Sequence, residues 1–256
     1  VGVSQSGKSP DIVGVLDEGR RQGALTLAIT NTPGSPLANT ADCVLDIAAG
    51  PELAVAATKT YTTQLLTIAM LAVALKEDEE RRAELERVPE WVAEALKLDD
   101  QVAHAAPRYR YMKHCVVLGR GYNYATAFEL ALKLKELTYV VTEPYSSADF
   151  RHGPIAIVDP GFPILSVVHS GALQEDMLDL LRKLDAEREA ELLVISDLDA
   201  ALDLARAPLR LPSGIPEWLS PLVSIIPGQL LAYHITQVKG YDTEKPRGLN
   251  KVTLTH

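Results

Sequence analysis

Five stretches of the 256-residue chain gather side chains able to bind or activate a polar substrate. The first, Ser4-Gln5-Ser6-Gly7-Lys8-Ser9-Pro10-Asp11, follows a short apolar run and opens a helical pattern. A helix N-terminus presents unpaired N–H groups and partial positive charge, and hydroxyls and an amide add neutral donors, so this loop suits a phosphate. Ser9 before Pro10 also reads as an ordinary helix cap, but one serine serves that purpose and three in six residues exceed it. The second stretch, Pro51 to Thr60, is rich in small residues. A packed helix start explains it, and Glu52 is placed to hold a sugar hydroxyl or amine instead. In the third, Gly119-Arg120-Gly121 precedes a helix carrying Lys133 and Glu136. The Gly-x-Gly turn lacks the third glycine of a dinucleotide fingerprint. Lys133 and Glu136, three apart, share a helix face and would pair in any case; in a dry site such a carboxylate can shuttle a proton. The fourth places His152 in a Gly/Pro-flanked turn, where a histidine can move protons near neutral pH. The fifth is the tail from Asp242 to His256, whose apolar Leu249, Val252 and Leu254 suggest a segment packed over something; its Lys251 is either solvated or, partly desolvated, able to form a Schiff base with a sugar carbonyl.

The elements that must position these groups alternate. Apolar runs at 1–3, 25–30, 43–47, 114–118, 155–158, 163–168, 191–196 and 208–211 read as strands. Helical patterns cover 10–22, 53–75, 124–137, 175–187 and 217–239. Strand–helix–strand alternation predicts a parallel sheet flanked by helices, with ligands beyond the carboxyl ends of the strands. The pattern also repeats. Gly7 and Gly171 end similar Val-x-x-Ser-Gly runs 164 residues apart; Leu27 and Leu193 open similar strands 166 apart; Pro51-Glu52 and Pro216-Glu217 lie 165 apart. Two copies of one α/β unit are expected, the first lacking the strand and helix that precede Val167 in the second. A start at Val1 inside a strand therefore suggests a longer natural protein. The charged run from Lys76 to Asp100 reads as a solvated linker helix.

Composition narrows the classes. With 25 basic and 34 acidic side chains the net charge is −9, which disfavours a general affinity for nucleic acid. Cys43 and Cys115 stand in no metal-ligand spacing, so neither a zinc site nor a disulfide framework is expected. No apolar run reaches a membrane span, and a cytoplasmic protein without a metal or organic cofactor is the expectation.

Together SQSGKSPD, AAGPELAVAATKTYTTQ, ELALKLKELTY, the RHGP turn and PRGLNKVT resemble the sugar isomerase (SIS) family across the whole chain. They resemble in particular the double-SIS isomerase half of glucosamine-fructose-6-phosphate synthase and its stand-alone relatives. The resemblance implies an α/β fold of two three-layer, flavodoxin-like SIS domains. It places the first at 1–77, N-terminally truncated, a helical linker at 78–108, the second at 109–241 and a closing tail at 242–256. It implies phosphate binding by Ser4, Gln5, Ser6 and Ser9, and substrate contacts at Glu52, Val55 and Ala56. It also implies proton transfer between C1 and C2 by Glu136 with Lys133 beside it, ring opening by His152 donated across a homodimer, and a carbonyl contact from Lys251. Lys8, Ala57 and Asn250 stand where the synthase typically has glutamate, serine and alanine, which leans toward the stand-alone branch. The implied substrate is a phosphorylated amino sugar and the implied reaction is conversion of glucosamine 6-phosphate to fructose 6-phosphate and ammonia. The isomerase part of a glutamine-fructose-6-phosphate aminotransferase, a fructosamine-6-phosphate deglycase and, in another class, a phosphosugar-binding regulator remain open.

Overall fold

A computed structural model describes residues 1–249 and 251. The chain divides into two compact units, one of Val1–Arg82 with the described residues from Glu244 on, the other of Ala83–Thr243.

The N-terminal unit is built on a three-stranded parallel sheet, β1 (Gly2–Val3), β2 (Leu27–Thr30) and β3 (Cys43–Asp46), in that order. Helix α1 (Pro10–Arg21) starts where Ser9 turns the chain and Pro10 supplies a preset φ. Helix α2 (Pro36–Thr40) is capped by the Ser35 hydroxyl, which accepts from the Ala38 amide. Leu16 of α1, Ala28 of β2 and Leu37 of α2 form the small core. Helix α3 (Lys59–Lys76) follows an irregular stretch; α4 (Glu79–Glu86) has no buried residue and carries the chain across the boundary at Arg82.

The C-terminal unit opens with α5 (Val88–Leu96) and α6 (Asp99–Ala105). Then come β4 (His114–Gly119), α7 (Asn123–Lys133), β5 (Val141–Ser146), α8 (Ser147–Arg151), β6 (Pro163–Val168), α9 (Gln174–Arg188), β7 (Glu191–Ser196), α10 (Asp199–Leu202), β8 (Ala207–Arg210) and α11 (Ser220–Val238). Its five strands are all parallel in the order β5-β4-β6-β7-β8. Strand order therefore reverses between β4 and β6, the place where such sheets open a crevice at their carboxyl ends. Val116, Leu118, Ile164, Leu192 and Val194 pack with Leu180, Leu181 and Leu184 of α9 in the core.

Most boundaries lie within two residues of the sequence expectation, with five differences. The run from Lys76 to Asp100 is not one solvated linker helix: it holds α4, α5 and the start of α6, and α5 buries Val88, Trp91 and Ala95 within the C-terminal unit, because its apolar residues share one face. Residues 155–158 are not a strand: Pro154–Ile157 form a 3-10 turn, because Pro154 favours a turn start. Strand β5 was not expected, since Pro144 breaks its pattern; the strand pairs only with β4, and a sheet edge tolerates the missing N–H. Helix α3 begins at Lys59 rather than 53. The helix expected to end at 137 changes at Lys133 into one wider π-helical turn, Leu134–Thr138, closed by Tyr139 in the left-handed conformation. Among the described residues no helix is long and apolar enough to cross a membrane.

Candidate active site

In the N-terminal unit the loop after β1 is tied down by its own side chains. The Ser4 hydroxyl accepts from the Gly7 amide at 3.2 Å and the Ser6 hydroxyl from the Lys8 amide at 3.4 Å. The Gln5 carbonyl accepts from the Asn31 amide (3.2 Å) and the Thr30 hydroxyl (3.3 Å). Gly7 has φ +60°, and a Cβ there would fall 2.0 Å from Ser35 Oγ, so only glycine lets the loop close on α2. The Ser9 hydroxyl makes no bond to the end of α1. Beside this loop lies a cleft of about 630 Å³ lined by Gln5, Ser6, Lys8, Asn31, Thr32 and Asp46, with the 48–52 segment and Lys251. That volume suits a small polar ligand.

Of the residues expected in the site, Gln5, Ser6, Glu52 and Lys251 line this cleft, and Ser4, Ser9, Val55 and Ala56 do not. Ser4 shapes the loop instead. Ala56 is buried, and the Val55 amide donates to the Glu244 carbonyl at 3.0 Å, so the returning tail takes the backbone group expected to meet substrate. Glu52 has a structural partner set: one carboxylate oxygen accepts from the Thr58 amide (3.2 Å), the Thr60 amide (3.1 Å) and the Thr60 hydroxyl (3.0 Å). It thus sets the start of α3, where a negative charge meets the positive helix end. Lys251 donates to the Ala54 carbonyl. Asn250, Val252 and Leu254 lie outside the described residues.

Sequence reasoning missed Asn31, Thr32 and Asp46. Asn31 bridges the loop, donating to the Gly50 carbonyl at 2.7 Å and accepting from the Ala49 amide at 3.0 Å. The signal was positional: all three stand at the carboxyl ends of β2 and β3, where sheets of this kind bind ligands.

The C-terminal unit holds a cluster of one lysine and two carboxylates. Lys133, only 3% exposed, donates to Glu136 at 2.6 Å and lies 3.6 Å from Glu129. The wide turn after Lys133 carries Glu136, whose side chain remains one-quarter exposed. Burial pushes the Glu129 carboxyl up to about 7; Lys133 opposes this and the Glu136 charge adds to it. Glu129 was not foreseen, although its four-residue spacing to Lys133 was readable. His152 ends α8, its amide bonded to the Asp149 carbonyl at 3.2 Å and its side chain exposed. Among the described residues no cluster of His, Cys, Asp and Glu could hold a metal ion.

The family model described as "SIS domain" matches residues 1–74 and 109–239. The chain belongs to the SIS domain family. It is 37% identical over 260 residues to the glutamine–fructose-6-phosphate aminotransferase (isomerizing) of Thermococcus kodakarensis, covering 98% of this chain and 43% of that protein. The chain thus spans about two fifths of the length of such relatives. The solved C-terminal domain of glucosamine-fructose-6-phosphate aminotransferase from Francisella tularensis superimposes with a TM-score of 0.87 at 33% identity, over 95% of this chain and 72% of that one. A glucosamine-6-phosphate deaminase from Thermotoga maritima matches with a TM-score of 0.77 over 99% of this chain and 74% of that one; at 24% identity this is a likeness of fold alone. The SIS assignment accords with the α/β fold of parallel sheets flanked by helices, and it does not by itself choose a substrate.

Proposed function

We propose that this chain interconverts glucosamine 6-phosphate and fructose 6-phosphate plus ammonia, as an aldose–ketose isomerase of phosphorylated amino sugars. The observation that carries this reading is the Glu129–Lys133–Glu136 group, a buried ammonium between two carboxylates at the one π-turn of α7. A phosphate sensor needs only the cradle, and a buried lysine held between two partly buried carboxylates elsewhere serves it no purpose. In this reading Gln5, Ser6 and the free end of α1 bind the phosphate, with Ser4 and Ser9 shaping and completing the loop. Glu136 takes the proton from C2 of the open-chain aldehyde and returns it at C1. The C–N pair left at C2 is then an imine, and water adds to it, releasing ammonia and leaving the ketone. Lys133 orients the Glu136 carboxylate, and Glu129, titrating near neutrality, accepts or supplies the proton in balance. Lys251 leaves the Ala54 carbonyl to polarise or hold the sugar carbonyl, and Glu52 fixes the floor of the cleft. His152 opens the sugar ring, donated across a homodimer.

We read the chain as two SIS domains, following the 1–77 and 109–241 division. Strand register supports this: Val3 pairs with Ile29, and their sequence counterparts Val167 and Ile195 also pair. The relatives at 33–37% identity, aminotransferases by name, favour the isomerase part of such an enzyme over a free-standing deaminase; the carbon chemistry is the same in both directions. The test is to incubate the full-length protein with glucosamine 6-phosphate, and separately with fructose 6-phosphate and ammonia, measuring product and solvent deuterium at C1 and C2. We expect turnover that Glu136→Gln lowers by about a thousandfold in protein that still melts cooperatively. No turnover in either direction, with wild type and Glu136→Gln alike, rejects the proposal.

A further inference from the structure

The C-terminal unit has its own crevice, where strand order reverses between β4 and β6. Arg120, Tyr122 and Asn123 reach it from the loop after β4, and His169 from the loop after β6. That second loop, His169-Ser170-Gly171-Ala172-Leu173, leads directly into the fifteen-residue helix α9; its Gly171 amide donates to Gln174 Oε1 at 3.3 Å, and the first turn of α9 carries Glu175 and Asp176. His169 is 8% exposed. Its Nδ1 bonds the Ser170 carbonyl at 2.7 Å and therefore carries the hydrogen, while its Nε2 has no hydrogen-bond partner. A buried polar atom in that state calls for a partner, and a water or a polar ligand would supply one.

One anion already sits there. The Glu217 carboxylate accepts from the Ala172 amide at 3.3 Å. Gly171 adopts φ +152°, and a Cβ at that position would lie 2.5 Å from the Glu217 carboxyl carbon. The glycine is thus what allows a carboxylate to approach this backbone. The void left beside it is about 10 Å³, too small for a phosphate. Asp197 is committed elsewhere, accepting from the Ser170 amide at 2.9 Å and the Ser170 hydroxyl at 2.5 Å; it lies 3.8 Å from His169 Nε2.

We propose that this crevice is a second oxyanion site, for inorganic phosphate or a phosphate monoester, whose resident ligand is the Glu217 carboxylate. The incoming oxyanion displaces Glu217 from the Ala172 amide, is met by the Arg120 guanidinium, and shares a hydrogen with His169 Nε2. That last bond forms equally from a P–OH donating to the neutral ring or from the imidazolium donating to phosphate. Glu217 lines the crevice and is only half-buried, so its side chain has solvent to turn into. The site is separate from the cleft of the N-terminal unit and does not depend on the reaction proposed for the chain.

The experiment follows the imidazole nitrogens of ¹⁵N-histidine-labelled full-length protein during titration with inorganic phosphate and, separately, glucose 6-phosphate. The His169 signal is assigned by its absence in His169→Gln. Glu217→Gln removes the competing charge, and saturation of the His169 shift is expected at about tenfold lower phosphate than in wild type, the worth of one charge-assisted hydrogen bond. Adding Arg120→Ala should undo that gain. Glu217→Ala, which removes both the charge and the reach to Ala172, should give the same gain if Glu217→Gln fails to fold. A response to inorganic phosphate alone assigns the site to the free ion; a response to both anions assigns it to phosphate monoesters as well. A His169 signal unmoved by either anion in both Glu217 variants, or moved equally in wild type and variants, overturns the proposal.

Discussion

Lys133 sits between Glu129 and Glu136 at 3.6 and 2.6 Å, and this arrangement has a measurable cost in stability. A carboxyl raised to about 7 in the folded chain, against 4.5 for an ordinary glutamate, holds a proton that the unfolded chain has already lost. Between those values the native state binds more protons, so stability falls as pH rises through the window. The fall amounts to about 3 kcal/mol when complete. Glu129→Gln, which keeps shape and removes the titration, should flatten urea-derived stability between about pH 4.5 and 7 and leave the variant more stable than wild type at pH 8. An unchanged slope would show that Glu129 is solvated and not part of a dry acid–base group. Lys133 and Glu136 were readable because helix geometry fixes which residues share a face. Glu129 was not, because its importance comes from burial, and burial depends on what packs over α7.

Gly7 shows how an element places a site. Its φ of +60° turns the chain from β1 toward α1, and its missing Cβ lets the Ser35 hydroxyl come close and cap α2. Gly7→Ala therefore meets both a disfavoured backbone conformation and a contact of 2.0 Å, and should cost about 1–3 kcal/mol. Because the same loop carries Gln5 and Ser6, affinity for a phosphosugar should fall by at least about tenfold for the first kilocalories of distortion. Thermal melting and binding calorimetry on one preparation check both, and a stable variant with intact affinity would show that the loop does not bind the phosphate. Alternation of apolar runs was enough to predict parallel sheets, and the strands at 163–168 and 191–196 stand where the runs do. The pattern failed where function or an edge overrides local preference. Pro144 is permitted in β5 because only β4 pairs with it, and the helical periodicity of 124–137 gives no hint of the π-turn that sets Glu136 apart. Asn31, Thr32 and Asp46 entered the cleft through topology, which brings strand ends together from distant sequence.

At the scale of the whole molecule the net charge of −9 gives way to local arrangement: the cleft sets Lys8 and Lys251 against Asp46 and Glu52. The division into two units has a clearer consequence. The boundary at Arg82 falls inside α4, a helix with no buried residue. Its ion pairs, Arg81–Asp78 at 3.6 Å and Arg82–Glu79 at 3.3 Å, join largely exposed groups, and such pairs contribute only a few tenths of a kcal/mol each. The second half of the helix is tied to the C-terminal unit, since Glu84 accepts from the Trp218 indole at 2.7 Å; the first turn, up to Arg82, lies before that tie and is expected to open locally more often than the elements around it. The C-terminal unit, by contrast, has five paired strands and a core of fully buried leucines on α9. Brief trypsin treatment should therefore cut first after Arg81 or Arg82, and the fragment beginning near Ala83 should survive and melt cooperatively. Mass spectrometry of the first products and a thermal melt of the surviving fragment decide it. A first cut within β4 to β8, or a fragment that is degraded as fast as it appears, would mean that the C-terminal unit has no stability of its own.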